Sequence, residues 1–291
     1  MPESPGALAA PPAAPLPAPS TKERREERFR EYRSSRELLR QLVRRDLRIQ
    51  HRGTLLGNVW SLLMPILTVG VYTFVFTVIM PASPVREGAG NVPFPVYLFV
   101  GLVMWNLLQN SILGGTGSVL GAGYLLSKVY FRREILPLAS VMSALVTFCW
   151  EFAVAFVSVV IFVRPPDWRI VYLPIMVLVT LLVAFGFGLL LSTAAVFFRD
   201  VQHFIGIFMQ IWFWGSPVIY SITILHGRNT LLKLLQLNPM TGVLVSVRNV
   251  LLDHTNPDWK LLAWGTLVGV VMIAIGYTVF RRNERLFAEM I

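Results

Sequence analysis

Residues 170–198 read IVYLPIMVLVTLLVAFGFGLLLSTAAVFF, and the reading of this run decides the fold. Lipid gives backbone amides no hydrogen-bond partner, so a chain crossing it must satisfy them internally, as a helix or a closed barrel. A hydrocarbon core of about 30 Å takes about 20 helical residues. Outward from this run lie five more apolar blocks of helical length, at 55–80, 93–113, 136–163, 201–221 and 260–280. None reads as the alternating strands of about ten residues that build a barrel. The expected fold is an all-α membrane protein with six transmembrane helices, filling a single domain over 54–281.

Composition agrees, with 55% hydrophobic against 14% charged residues, where soluble domains carry about 25% charge. The one cysteine, Cys149, excludes an internal disulfide framework and a cysteine-rich metal site. It lies inside the third block and reads as core packing.

Basic residues set the orientation, because positive connectors stay on the cytoplasmic side. With six spans, 19 of the 26 Lys and Arg fall on the side of the two termini, and 7 on the other. Both termini are therefore expected in the cytoplasm. The segment 231–252 is apolar enough to suggest a seventh span. That span would place Arg281, Arg282 and Arg285 outside, and Lys233, Arg248 and the Asn238-Pro239 break oppose a continuous crossing. Two short helices meeting at Asn238-Pro239 are expected instead, within about 222–252 on the outer face.

Ahead of the first span, residues 1–19 are almost wholly Pro, Ala, Gly, Leu and Ser, the composition of a disordered tail. Over 20–53 the chain turns basic, with capping-box pairs at Ser20/Glu23 and Ser34/Glu37. Leu38, Leu39, Leu42, Val43, Leu47 and Ile49 gather on one side of the second piece while Arg36, Arg40, Arg44, Arg45 and Arg48 occupy the rest. That pattern is an interfacial amphipathic helix whose arginines face anionic membrane lipids. No nucleic-acid recognition module accompanies the stripe. Residues 282–291 form a short cytoplasmic tail.

Within the spans, Glu151 is the single acid. A carboxylate at that depth is costly unless paired, protonated or watered, so it faces protein or a pore; Asn106, Gln109, Asn110 and Gln210 are its candidate donors. The spans are rich in aromatics, among them Trp60, Phe148, Trp150, Phe152, Phe208 and Trp212. Flat aromatic faces suit a track for sugar rings, and helix packing is the alternative.

Polar residues give an enzyme little to work with. No Asp-x-Asp pair is present, His51, His203, His226 and His254 have no metal spacing, and Gly114-Gly115-Thr116-Gly117-Ser118 lacks the lysine of a phosphate-cradling loop. Uphill transport would then need a separate ATPase and a surface to dock it. Tyr124-Leu125-Leu126-Ser127-Lys128-Val129-Tyr130-Phe131-Arg132-Arg133-Glu134 mixes aromatic, aliphatic and basic residues and reads as a short exposed helix within about 121–134.

This stretch, with Phe198-Arg199-Asp200 and with Leu237-Asn238-Pro239-Met240-Thr241 followed by Arg248, resembles the ABC-2 type permeases of polysaccharide exporters, from about residue 34 onward. Many members carry Phe-Pro-Arg where this chain has Phe131-Arg132-Arg133. The resemblance implies the permease half of an exporter of O-antigen, capsule, teichoic acid or galactan in the bacterial cytoplasmic membrane. It implies a homodimer working with two copies of an ABC nucleotide-binding subunit, which uses ATP and Mg; this chain itself has no cofactor and is no enzyme. Tyr124, Lys128, Tyr130, Phe131, Arg132, Arg133 and Glu134 would couple to that subunit. Arg40, Arg44, Arg45, Arg48 and Arg52 would receive the pyrophosphate of a polyprenyl-linked glycan, a task suited to the bidentate guanidinium. Trp60, Phe148, Trp150, Glu151, Phe152, Phe208 and Trp212 would line the glycan path. Asn238, Pro239 and Arg248 would belong to an external gate, and Arg199 and Asp200 to a cytoplasmic brace. The competing readings are an ABC-2 permease for a small lipid or drug, and an ATP-independent flippase or glycosyltransferase. Arginine outnumbers lysine 22 to 4, the bias of a high-GC bacterium, where a cell-wall galactan precursor fits as cargo.

Overall fold

Long apolar runs become long helices, and the computed structural model describes residues 36–49, 59–79, 85–87, 90–126, 131–222 and 229–290. The Ala/Pro-rich tail, the Ser20/Glu23 piece, Ser34, Arg52, Lys128 and Tyr130 lie outside the described residues. Helix α1 covers 36–49. It is followed by α2, Trp60–Phe74, with a π-helical extension Val75–Ile79. Next come α3 (Phe94–Ser118), α4 (Gly123–Leu126), α5 (Ile135–Phe162), α6 (Leu173–Phe197), α7 (Val201–Trp214), α8 (Asn229–Leu237), α9 (Pro239–Leu251), α10 (Trp259–Asn283) and α11 (Phe287–Met290).

Among the described residues, four helical stretches are long and apolar enough to cross a membrane: Phe94–Ser118, Ile135–Phe162, Trp168–Phe197 and Trp259–Leu286. The protein is a multi-pass membrane protein. In the first block the apolar helical stretch Leu63–Ile79 is shorter, with Pro65 inside it. The fifth expected span is shortened too. Its helix α7 stops at Trp214 instead of 221, ahead of Pro217, which disfavours helical backbone in the residue before it. Where the sequence reading holds only helices, two three-residue strands, Val85–Glu87 and Gly90–Val92, pair antiparallel ahead of α3. They are too short for an alternating pattern to show in the sequence.

Proline marks several helix starts. Pro95 and Pro174 sit in the first turns of α3 and α6, where the missing N–H has no helical acceptor to lose. Helix α3 is the hub, burying Tyr97, Phe99, Met104, Trp105, Leu107, Leu108 and Ile112. It continues to Ser118, beyond the expected 113, because packing on α5 and α6 outweighs the poor helix propensity of its glycines. Helices α6 and α10 pack backbone to backbone. A Cβ on Gly276 would lie 2.6 Å from the Gly186 carbonyl oxygen, so the contact admits only glycine there. Cys149, expected in the core, is instead exposed on α5.

Two apolar clusters stand at different levels. One surrounds α3 through Met104, Val179, Met209 and Val243. The second joins Leu42 of α1 to Val119, Leu136, Val196, Phe280 and Phe287. The 25 residues of α3 rise about 37 Å, so the end carrying α1, here the basal end, lies opposite the end carrying Tyr97.

Candidate functional site

At the distal end the chain turns sharply between α8 and α9, which meet at 96°. Asn238 makes the corner. Its backbone is extended, Pro239 opens α9, and Asn238 Oδ1 accepts the Met240 N–H at 3.0 Å, capping the helix. The same oxygen accepts Trp212 Nε1–H at 3.0 Å. Nδ2 donates to the Gly215 carbonyl at 3.1 Å and to Ser216 Oγ at 2.7 Å. Two donors and two acceptor positions are thus all used. A residue expected in the external gate and one expected on the glycan path are bonded to each other.

Arg248 lies one helix further on and is buried. Its Nη1 and Nη2 donate to the carbonyls of Pro217 and Val218, each at 2.6 Å, and its guanidinium stacks 3.8 Å from the centroid of Tyr97 on α3. The space exists because residue 101 has no side chain: a Cβ on Gly101 would stand 2.3 Å from Arg248 Nη2. Arg248 therefore clasps α9 to α3 and to the segment after α7. Sequence reading missed Gly101 and Tyr97, whose partner Arg248 lies more than a hundred residues away, and Ser216, a serine whose partner Asn238 no local pattern announces. Nearby in the α9–α10 connector, burial holds the Asp253 carboxyl above its usual range, against the opposing pull of Arg248 and Arg164.

In the middle of the bundle Glu151 Oε2 accepts from Asn106 Nδ2 at 3.0 Å, which selects one of the four candidate donors. Trp212 is half-buried and touches Trp105, Phe187 and Phe208 at centroid distances of 6.1, 5.3 and 5.6 Å. Phe148 is buried and stacks on Phe152 at 5.5 Å, and Phe152 continues to Phe156. Trp150 is 49% exposed, directed away from this chain's own core. Trp60 is half-buried at the start of α2. The expected path residues thus divide into an inner aromatic cluster and an outer face.

The basal surface collects the remaining candidates. Arg40, Arg44, Arg45 and Arg48 are exposed on α1 while Leu42 is buried beneath them. Arg45 pairs with Asp46 at 3.0 Å. Beside these two a cleft of about 280 Å³ runs between α1, α3 and α5, past Gly117, Gly121 and Ser140 to Asn110. Of the helix expected over about 121–134, residues 127–130 lie outside the described residues, and Phe131 to Glu134 are not helical. A 3₁₀ turn, Leu120–Ala122, leads into the four residues of α4, and Arg133-Glu134 form a turn into α5. Tyr124 is 74% exposed, whereas Phe131 packs on the basal cluster. Arg132 bonds Glu134 at 2.7 Å, which holds its guanidinium above the ordinary arginine range. Arg133 is half-buried. Arg199 and Asp200 are both exposed, and Asp200 stands at the start of α7 without a side-chain cap bond.

The basal face thus exposes aromatic and cationic side chains, and the distal end carries a bonded corner. A family model described as ABC-2 type transporter matches residues 37–252. The chain is 32% identical over 262 residues to the O-antigen export system permease protein RfbA of Myxococcus xanthus, covering 90% of this chain and 98% of that protein. Two proteins of Klebsiella pneumoniae with the same description are 24% and 22% identical, over 88% of this chain and 95% of each of them.

Proposed function

The chain belongs to the ABC-2 type transporter family, and from that premise we propose that it is the permease subunit of an ATP-driven exporter of a polyprenyl-pyrophosphate-linked polysaccharide, of O-antigen or cell-wall galactan type. Two copies form the permease, and each binds one ABC nucleotide-binding subunit on the cytoplasmic side. In this reading the basal end is cytoplasmic, both termini lie there, and α2 and α7 complete six spans with the four long helices. Helix α1 lies in the inner interface, and Arg40, Arg44, Arg45, Arg48 and Arg52 hold the anionic head of the cargo. The corner at Asn238-Pro239 is the external gate, and the connector 121–134 with Arg199 and Asp200 receives the thrust of ATP-driven closure. The glycan then passes along the interface of the two copies over aromatic faces such as Trp150, while Glu151 with Asn106 supplies a polar point on the way.

The observation that carries this reading is the basal face. There α1, the 120–134 connector and the Val196-Phe197 end of α6 converge on one apolar cluster, and side chains able to bind a protein partner, such as Tyr124, stand exposed beside them. The direct check is assembly with an ABC nucleotide-binding subunit. Wild-type protein is expected to co-purify with it, and Tyr124→Ala with Arg132→Ala to weaken that association. Unchanged association in the double variant would move the docking surface elsewhere. An ABC-2 permease for a small lipid is distinguished by cargo, since its ATPase would respond to lipid without any glycan.

A further inference from the structure

The coupling role proposed above for residues 121–134 raises the question of what fixes that connector to the rest of the chain. Glu134 is buried at the point where the connector enters α5. One of its oxygens, Oε1, takes Arg132 at 2.7 Å from the connector side and faces Arg281 at 3.7 Å from the end of α10. Arg281 is itself held on two further sides, by the Tyr277 hydroxyl at 3.0 Å and by Glu284 at 3.1 Å. Just beyond, Phe287 is fully buried, crosses Phe280 edge to face at 5.1 Å, and joins the cluster that contains Leu42 of α1. Three parts distant in sequence therefore meet through two charged groups and two phenyl rings: the connector, the last span with its terminal turn, and the basal helix.

We propose that the Glu134–Arg281 pair is the joint through which displacement of the ATPase-facing connector is passed to α10 and, by way of Phe287, to α1. Arg281 acts as a positioning residue. It faces the connector's carboxylate rather than the docking surface. A carboxylate shared by two guanidinium groups is sensitive to geometry, because each arginine presents a planar fork with fixed donor directions. Burial of Glu134 leaves the pair less screened than one between two exposed groups, although Arg281 itself is exposed. Moving the connector without this pair would leave α10 and α1 behind, and ATP would be hydrolysed with little cargo moved.

The test uses the full complex with its nucleotide-binding subunit in lipid vesicles supplied with polyprenyl-pyrophosphate-linked galactan, and reads glycan translocated per ATP hydrolysed. Arg281→Gln is expected to assemble and hydrolyse ATP while that ratio falls about fivefold or more, the size of an ordinary coupling between sites. Arg281→Lys, which keeps the charge, should recover most of it, and Glu134→Gln should add little on top of Arg281→Gln. A ratio left unchanged in Arg281→Gln, or a fall in that ratio that simply adds to the effect of Glu134→Gln, overturns the inference. If Tyr124→Ala with Arg132→Ala also leaves assembly and ratio untouched, the docking reading has failed first; if only the Arg281 variants are silent, the joint alone is wrong.

Discussion

At the scale of single residues the structure turns on polar side chains that bond across elements. Asn238 joins Trp212, Gly215, Ser216 and Met240, so Asn238→Ala strands an indole N–H and a helix-start N–H together. The expected cost is about 2 kcal/mol, read as a lowered midpoint of thermal unfolding in detergent. Gly101→Ala drives a methyl into the Arg248 guanidinium and should cost about 1–3 kcal/mol; a variant as stable as wild type would mean that the clasp is looser than its distances. Glu151→Gln keeps an acceptor for Asn106, so transport is expected to survive with its pH profile unchanged, and a lost pH dependence would make Glu151 a proton carrier. Asp253 has a sign of its own. Its carboxyl is raised in the folded protein by burial, so the folded form binds the proton more tightly, and the contribution to stability is greatest in acid. That contribution is lost as pH climbs from the ordinary aspartate range through the raised value. The stability of wild type relative to Asp253→Asn should fall over that window.

At the scale of elements, the long helices were legible because periodicity is unnecessary where everything is apolar: 136–163 and 170–198 differ from α5 and the Trp168–Phe197 stretch by a residue or two. The 96° corner was legible too, since an Asn cap followed by Pro is a local signal. Two features were not. The end of α7 is set by Pro217, a local signal that the 201–221 block runs past, and by the bonds that Asn238 and Arg248 make to Gly215, Pro217 and Val218, which no window of sequence reveals. The outward facing of Cys149 depends on which side of α5 meets α3, and a helix apolar all round does not declare that side. Helix α1 rests on one buried leucine above all, so Leu42→Ala, costing about 2–5 kcal/mol if the site does not collapse, should free the helix. Limited proteolysis is expected to cut within 36–49 in that variant before it cuts wild type.

At the scale of the whole molecule, the basal and distal ends have different chemistries at the two ends of α3. One displays arginines and aromatics around a shared apolar cluster; the other is locked by hydrogen bonds to backbone carbonyls. The candidate site was readable as a set of segments, but their connections were not. Arg281 counted in the sequence only as a charge fixing topology, while in the fold it meets Glu134. In the proposed function this chain carries a lipid-linked glycan across the membrane under the power of a separate ATPase. The measurement that bears on it most directly is translocation of polyprenyl-pyrophosphate-linked galactan into vesicles containing the chain together with its nucleotide-binding subunit, with and without ATP. Transport that requires both ATP and the subunit is the expected result. Glycan transfer or translocation by this chain alone, without ATP, would contradict it.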